Sequence, residues 1–395
     1  MKIENFRMEL NKELRDNILF FWSSQMIDNE NNGFIGRISG NNDIDQHADK
    51  GCVLNARILW TFSCAYRILK DKTYFKTAQR AKDFLLNHFF DNEYNGVYWL
   101  LDYTGKVKND RKQIYAQAFV IYALVEYYKI SGDDICLKKA IELYNLIEMY
   151  SYDKYLGGYI EAMNRDWTAL EDMRLSDKDA NEKKTMNTHL HILEAYTNLY
   201  RVWKNDDLQK QLIILINNFT EHIINSETNH LDLFFDEFWN CKSEIVSFGH
   251  DIEASWLLNE AARVSDNEAI INTIKKISLK MVRAASDGIQ ENGGMIYERD
   301  NKTNHLDTDF HWWVQAETVV GLMYAYQISG NSLFYDKAVK TWQFIKDNII
   351  DNNQGEWFWS VNSKLEPNTV DDKAGPWKCP YHNARMCLEI LENFK

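Results

Sequence analysis

From residue 116 to 128 the chain is apolar almost without a break, reading Ala-Gln-Ala-Phe-Val-Ile-Tyr-Ala-Leu-Val-Glu-Tyr-Tyr. A helix with so little polar surface is buried on most of its faces. Ser131-Gly132 and Ser329-Gly330 close helices of this kind, and Asp133-Asp134 and Asn331-Ser332 cap the next ones. The three prolines, Pro367, Pro376 and Pro380, all lie near the C-terminus, so the rest of the chain is free to be helical.

Between the helical stretches one punctuation mark recurs, a glycine followed by aromatic or apolar residues. It stands at Gly33-Phe34, Gly96-Val97-Tyr98-Trp99, Gly157-Gly158-Tyr159, Gly293-Gly294-Met295-Ile296-Tyr297 and Gly355-Glu356-Trp357. The glycines at 33, 96, 158, 294 and 355 are 63, 62, 136 and 61 residues apart. The long gap is about two units, and its missing member falls near Leu231-Asp232-Leu233-Phe234-Phe235. A fixed period of this length marks a repeat architecture, read here as six units. Each unit reads as a helix, a short extended segment, a loop and a second helix. Twelve helices in six hairpins predict an all-α, closed (α/α)6 barrel with short β-hairpins and loops at one mouth. An open solenoid is the alternative. Closure is expected because the inner helices are apolar nearly all round and their first turns carry polar and aromatic residues that would converge. The inner helices are expected to begin near Cys52, Tyr115, Asn187, His250, Trp313 and Tyr381. No linker or composition break interrupts residues 1–395, which predicts one domain.

Composition narrows the ligand. Asp and Glu number 58 against 45 Lys and Arg, a formal net charge of −13. Such a chain lacks the basic footprint of a nucleic-acid or anionic-membrane binder. Its 13 Trp and 21 Tyr offer flat apolar faces with a polar edge, which suit ring-shaped polar ligands such as sugars. The six cysteines form no C-x-x-C pair and are read as buried reduced thiols. The N-terminus lacks a basic segment followed by an apolar run, and Ile18–Trp22 is too short to span a bilayer. A cytoplasmic protein, monomeric or weakly dimeric, is expected.

The chemistry is concentrated in the first turns of the inner helices. His191-Ile-Leu-Glu194-Ala195 and His250-Asp-Ile-Glu253-Ala254 share the pattern His-x-x-Glu-Ala. Residues three apart lie on one helix face, so each glutamate is expected to orient its histidine. Asn55 and Arg57, Tyr115 and Gln117, His311 to Glu317, and Trp377 to Arg385 complete the set. His189 lies two residues from His191 and faces elsewhere. His88, His222, His230 and His305 are read as capping or surface residues, and His47 and His311 stay undecided. Trp312, Trp313 and Trp377 suggest sugar stacking. Three histidines could bind zinc, but no H-x-x-x-H or H-E-x-x-H pair occurs and each candidate sits on a different helix, so no metal is expected. No phosphate-cradling glycine loop is present, so no nucleotide cofactor is expected.

Three stretches resemble the cellobiose 2-epimerases of the N-acylglucosamine 2-epimerase superfamily. They are Ser247-Phe-Gly-His250-Asp-Ile-Glu253-Ala-Ser-Trp256, His311-Trp-Trp-Val-Gln-Ala-Glu317 and Gly375-Pro-Trp-Lys-Cys-Pro-Tyr-His382-Asn383. The resemblance implies an (α/α)6 barrel and cofactor-independent epimerisation at C2 of the reducing-end glucose of β-1,4-linked disaccharides such as cellobiose and lactose. It implies His250 and His382 as the acid/base pair; the sequence leaves open which is the first base, and for the glucose-to-mannose direction His382 is taken as the base and His250 as the donor. His191 would assist ring opening, Arg57 would stabilise the enediolate oxygen and Glu253 would orient His250. Tyr115, Asn187 and Glu317 would bind hydroxyls, and Trp312, Trp313 and Trp377 would line or stack on the sugar rings.

Rival readings remain. An N-acylglucosamine 2-epimerase or mannose isomerase would be a sister activity. A glycoside hydrolase on the same fold needs two carboxylates, for which Asp236, Glu237 and Glu253 are available. A sugar-binding protein without chemistry is the third.

Overall fold

The computed structural model describes residues 1–394. Six inner helices run over Cys52–Leu69, Ile114–Ser131, Met186–Val202, Phe248–Val264, Trp312–Ser329 and Tyr381–Asn393. Each begins within two residues of its expected start. Nearly every side chain in the first fourteen positions of Cys52–Leu69 is buried, because neighbours cover it on all sides. The outer helices Lys72–Phe84, Asp134–Tyr150, Asp206–Asn218, Glu268–Ala285 and Ser332–Phe344 bury one stripe only. In Lys72–Phe84 that stripe is Tyr74, Ala78, Ala81 and Phe84, the spacing of one helical face. The sixth outer element is a rod of Ile3–Glu13, a π-turn at Leu14–Leu19 and Phe20–Ser24. Asp133 and Asn331 cap the helices after them through their side chains, as expected.

Each inner helix packs on the next, and the sixth packs on the first, so the ring is closed and the open solenoid is excluded. Short antiparallel strand pairs at the inner-helix N-termini lace the mouth, for example Lys112–Gln113 with Ala162–Met163 and Phe310–His311 with Ser360–Val361. A bridge from Ile38 to Ala374 joins the two ends of the chain across the seam.

The repeated turn appears six times. Its signature is an antiparallel bridge at Ile27–Phe34, Phe90–Val97, Tyr152–Tyr159, Ile224–Leu231, Ile289–Met295 and Ile350–Trp357. At Gly33, Gly96 and Gly158 the backbone is left-handed, and an added Cβ would lie 2.4–2.7 Å from the rings of Phe84, Trp167 and Trp239. In the fourth unit His230 takes the glycine's place directly before Leu231, where the missing member was expected. His230 was read as a surface or capping residue; it is instead buried, with Nδ1 2.6 Å from the Asp251 carboxylate. The sixth unit carries Glu356 there, bonded to Lys378 and Asn383.

Behind four of these turns a buried lysine meets an aspartate of the turn; in the first three the lysine stands two residues before the inner helix, in the sixth eight residues before it. The pairs are Lys50–Asp28 at 2.6 Å, Lys112–Asp91 at 2.9 Å, Lys184–Asp153 at 3.0 Å, and Lys373–Asp351. In the fourth and fifth units Asn225 and Gln290 stand in the aspartate's place, and Val246 and Phe310 in the lysine's. Both partners change together because a buried charge left alone is costly. Of the cysteines, five are buried; Cys241 is exposed, against expectation. Among the described residues no helix is long and apolar enough to cross a membrane.

Candidate active site

The closed ring puts equivalent residues of the inner helices at equivalent heights. The sixth helix is counted from its cap, Pro380. In the second to fifth units the third residue after the helix start clamps the repeated turn. Gln117 accepts from Val97 N–H at 2.8 Å, His189 from Tyr159 N–H at 2.9 Å, Asp251 from Leu231 N–H at 2.7 Å and Gln315 from Met295 N–H at 2.8 Å. Gln117 is thus committed to the backbone and not to the mouth. The fifth residue after each start, at the N-terminal end of the barrel interior, is Arg57, Phe119, His191, Glu253, Glu317 and Arg385. The second residue is His250 in the fourth unit and His382 in the sixth. His250 and His382 therefore occupy the same repeat position, and His191 a different one. The two His-x-x-Glu strings are out of register by three residues.

These positions open onto a cavity of about 720 Å³ at the N-terminal ends of the inner helices. Its wall contains Arg57, Tyr115, Asn187, His191, His250, Glu253, Trp312, Trp313, Trp377 and His382, so the structure brings together every expected site residue except Glu317. The residues 174–180, Tyr297, His311 and Trp359 complete the rim. His311 is therefore a wall residue, its ring stacked 3.9 Å from that of Tyr297. His47 is exposed and outside the cavity. Asp236 and Glu237, the carboxylates a hydrolase would use, also lie outside it; Asp236 caps its own loop.

His382 Nδ1 lies 2.7 Å from Glu317 Oε1. A carboxylate only accepts, so the proton sits on Nδ1 and Nε2 is left bare. Burial drives the proton affinity of His382 well below the usual imidazole value; Glu253 offsets this in part, while Arg57 and Arg385 add to it. His250 Nδ1 lies 2.8 Å from Ser247 Oγ, and burial lowers its pKa to about 4. The indole of Trp313 neighbours both, 4.7 Å from the His250 ring and 5.6 Å from that of His382. Gly249 makes room for it, since a Cβ there would lie 2.6 Å from the Trp313 ring.

His191 Nδ1 meets Glu194 at 3.0 Å, as its string suggests. Burial lowers its proton affinity and Glu194 opposes the shift. Arg57 donates to Tyr115 Oη at 2.8 Å, and its guanidinium lies 4.2 Å from the Phe119 ring and 4.8 Å from that of Tyr381. Burial works against its charge, but its proton affinity stays far above neutral pH, so the cation persists. The buried Asn187 Oδ1 has no hydrogen-bond partner among the described residues and is available to a ligand.

Two expected roles are corrected. Glu253 makes no hydrogen bond to His250; its carboxylate is held by Arg385. Glu317 does not line the cavity. It is fully buried and takes bonds from His382, from Arg385 at 2.6 Å and from the Trp256 indole at 3.1 Å. Glu194 holds His191 as expected, while Arg385 and Ser247, for which no role was expected, hold the rest of the site. The same cluster contains the one trio among the described residues with metal-ligand proximity, Glu253, Glu317 and His382, within 4.8 Å of one another. Arg385 bonds both carboxylates, so a fixed organic cation already matches their charge.

This arrangement has known counterparts. The family model for N-acylglucosamine 2-epimerase (GlcNAc 2-epimerase) matches residues 33–385. The chain belongs to the N-acylglucosamine 2-epimerase family. A cellobiose 2-epimerase of Bacteroides fragilis is 52% identical over 388 residues, covering 98% of this chain and 99% of that protein. One of Ruminococcus albus is 40% identical, covering 97% of each. The solved cellobiose 2-epimerase of Bacillus thermoamylovorans aligns with a TM-score of 0.94 at 38% identity, covering 98% of this chain and 99% of that one. Family membership makes the chain an isomerase whose substrate is a carbohydrate.

Proposed function

We propose that this enzyme inverts C2 of the reducing-end glucose in β-1,4-linked disaccharides such as cellobiose, by moving one proton off and another on through a cis-enediolate. The substrate class rests on the likeness to cellobiose 2-epimerases along almost the whole chain. The mechanism rests on one observation: His250 and His382 occupy the same repeat position and line one cavity, with Trp313 beside both.

In the open-chain aldose the C2–H bond is acidified by the C1 carbonyl. His382 Nε2 takes that proton and the electron pair moves into the C1–C2 bond, leaving negative charge on O1. Glu317 stabilises the imidazolium through Nδ1–H. Arg57, a cation fixed by Tyr115 and two aromatic faces, stabilises the oxyanion. Protonated His250 then delivers a proton to the opposite face of C2. Burial lowers its pKa to about 4, so the protonated form is the minor one near neutral pH and gives up its proton readily once formed. One turnover leaves His382 protonated and His250 neutral, and exchange with solvent restores the start. His191, backed by Glu194, assists ring opening at O5 and O1. Tyr115 and Asn187 bind hydroxyls, and Trp313 and Trp377 stack on the rings.

The test is incubation with cellobiose, lactose, glucose, mannose and N-acetylglucosamine in D₂O. Glucosyl-mannose carrying deuterium at C2 is expected, undiminished after chelation. Product without deuterium excludes the proton-transfer route. Release of free glucose identifies a hydrolase, faster turnover of N-acetylglucosamine or mannose a sister activity, and no turnover a binding protein.

A further inference from the structure

One group at the heart of the barrel has no part in the proton transfers just described. Arg385 is fully buried at the barrel axis, and its two terminal nitrogens are shared among three carboxylates. One nitrogen bonds Glu194 and the other bonds both Glu253 and Glu317. Two of those carboxylates continue outward to histidines: Glu194 to His191 Nδ1 at 3.0 Å, and Glu317 to His382 Nδ1 at 2.7 Å. The carboxylates come from the third, fourth and fifth inner helices and Arg385 from the sixth, so one planar cation ties four helices at the height of the chemistry.

We propose that Arg385 is a positioning residue for the reaction, orienting Glu194 and Glu317 so that His191 and His382 both carry their proton on Nδ1 and present Nε2 to the cavity.

Three physical points support this. Three carboxylates in a dry core repel one another, and without a counter-charge burial would protonate them. A protonated carboxyl can donate as well as accept, so it no longer dictates which imidazole nitrogen carries the hydrogen. At Glu194 burial alone would raise the pKa, yet Arg385, with His191 and Tyr381, holds it down to about 2; at Glu317 burial still raises it and Arg385 is the main group opposing the shift. Only a guanidinium fits the task. Its planar fork reaches partners on two sides at once, whereas an ammonium is a point charge on a flexible stem. Tyr381 and the Trp256 ring, 4.2 Å and 4.8 Å from the guanidinium, fix its plane. Arg385 is not itself a wall residue, so it acts through the carboxylates, Glu253 of the wall among them, rather than on the sugar.

The inference rests on the acid/base reading above, and its test separates the two. Arg385→Lys keeps the charge but loses the fork. Glu194→Gln cuts one arm only and is nearly isosteric. The readouts are turnover of cellobiose and long-range ¹H–¹⁵N spectra of histidine-labelled protein, which report the tautomer of each ring whether or not the protein turns over. In the parent, His191 and His382 should both show the Nδ1–H form. Arg385→Lys should mix the tautomers of both and lower kcat by about 10²-fold with little change in KM, the scale of a misplaced catalytic group. Glu194→Gln should disturb His191 and leave His382 as it was. Parent-like tautomers and kcat in Arg385→Lys, or an undisturbed His191 in Glu194→Gln, would overturn the proposal. Nδ1–H tautomers in the parent that are mixed in Arg385→Lys, with no epimerisation by the parent, would overturn the functional reading alone. Should Arg385→Lys fail to fold, Glu194→Gln still decides the left arm and Glu317→Gln, read in the same spectra, the right.

Discussion

The fourth and sixth units place a histidine at the same repeat position and then treat it differently. His382 leans on a carboxylate, because the axial residue of the unit before it is Glu317. For His250 the corresponding residue is His191, which offers no carboxylate, and its Nδ1 turns to Ser247 Oγ at 2.8 Å instead. A carboxylate raises the basicity of the far nitrogen and fixes the tautomer; a hydroxyl, which both donates and accepts, does neither firmly. The pseudosymmetric ring therefore supplies two similar groups, and the residue one unit back makes one of them the better base and the other the better acid. Epimerisation needs that pairing, since C2 must lose a proton on one face and gain one on the other.

Removing the histidines breaks the comparison outright. His382→Ala and His250→Ala should each lower kcat on cellobiose by about 10²–10⁴-fold with circular dichroism unchanged, because general acid/base help is worth that much. Near-normal turnover in either variant removes that residue and leaves a one-base mechanism. Glu317→Gln is the next largest. It leaves the imidazole in place, but the amide can present N–H₂ to Nδ1 and so favour the wrong tautomer. A loss of about 10²-fold is expected, carried by kcat and not by KM. Ser247→Ala should cost far less, about fivefold, the worth of one ordinary hydrogen bond of about 1 kcal/mol. Equal losses in Glu317→Gln and Ser247→Ala would contradict the asymmetry between the two histidines.

The same contrast explains what could be read before the structure was known. The six-unit period survives folding almost unchanged, because the turn needs left-handed backbone at Gly33, Gly96 and Gly158 and those glycines are visible. Its fourth copy was hidden because His230 does the work through a bond to Asp251, twenty-one residues away, that no local pattern displays. The cavity wall was legible because its residues cluster in helix first turns. The groups behind the wall were not. Glu317 reaches His382 across a helix boundary, and Arg385 bonds to three other helices, so their partners are set by ring closure. The His-x-x-Glu strings misled for the same reason. Local spacing puts Glu253 beside His250, but a fully buried guanidinium four helical starts of context away holds that carboxylate more strongly than a neutral imidazole can. Counting from helix starts, and not from matching strings, would have aligned His250 with His382.

The smallest effect on rate, and the sharpest control, belongs to His189. It is buried beside the reacting histidines, two residues from His191, yet both its nitrogens are used by backbone: Nδ1–H donates to Thr185 O at 2.7 Å and Nε2 accepts from Tyr159 N–H. No nitrogen is left for a substrate. Gln117 and Gln315 make the same clamp in other units, so His189→Gln should fold and keep turnover within about twofold, the spread of a substitution that touches no reacting group. Its signature lies in stability. Burial lowers the His189 pKa from an ordinary 6.5 to about 4. Between those values the unfolded chain binds a proton that the native state refuses. The histidine's contribution is therefore complete above pH 6.5 and is lost as pH falls towards 4, by about 3 kcal/mol for a shift of that size. Glutamine does not titrate. Thermal unfolding followed from pH 7 to pH 4 should show a shallower decline in His189→Gln than in the parent, with the two curves diverging below pH 6.5. Parallel curves would mean that His189 is not held neutral by the fold, and a large loss of turnover would mean that the clamp and the chemistry are not the separate positions the repeat makes them.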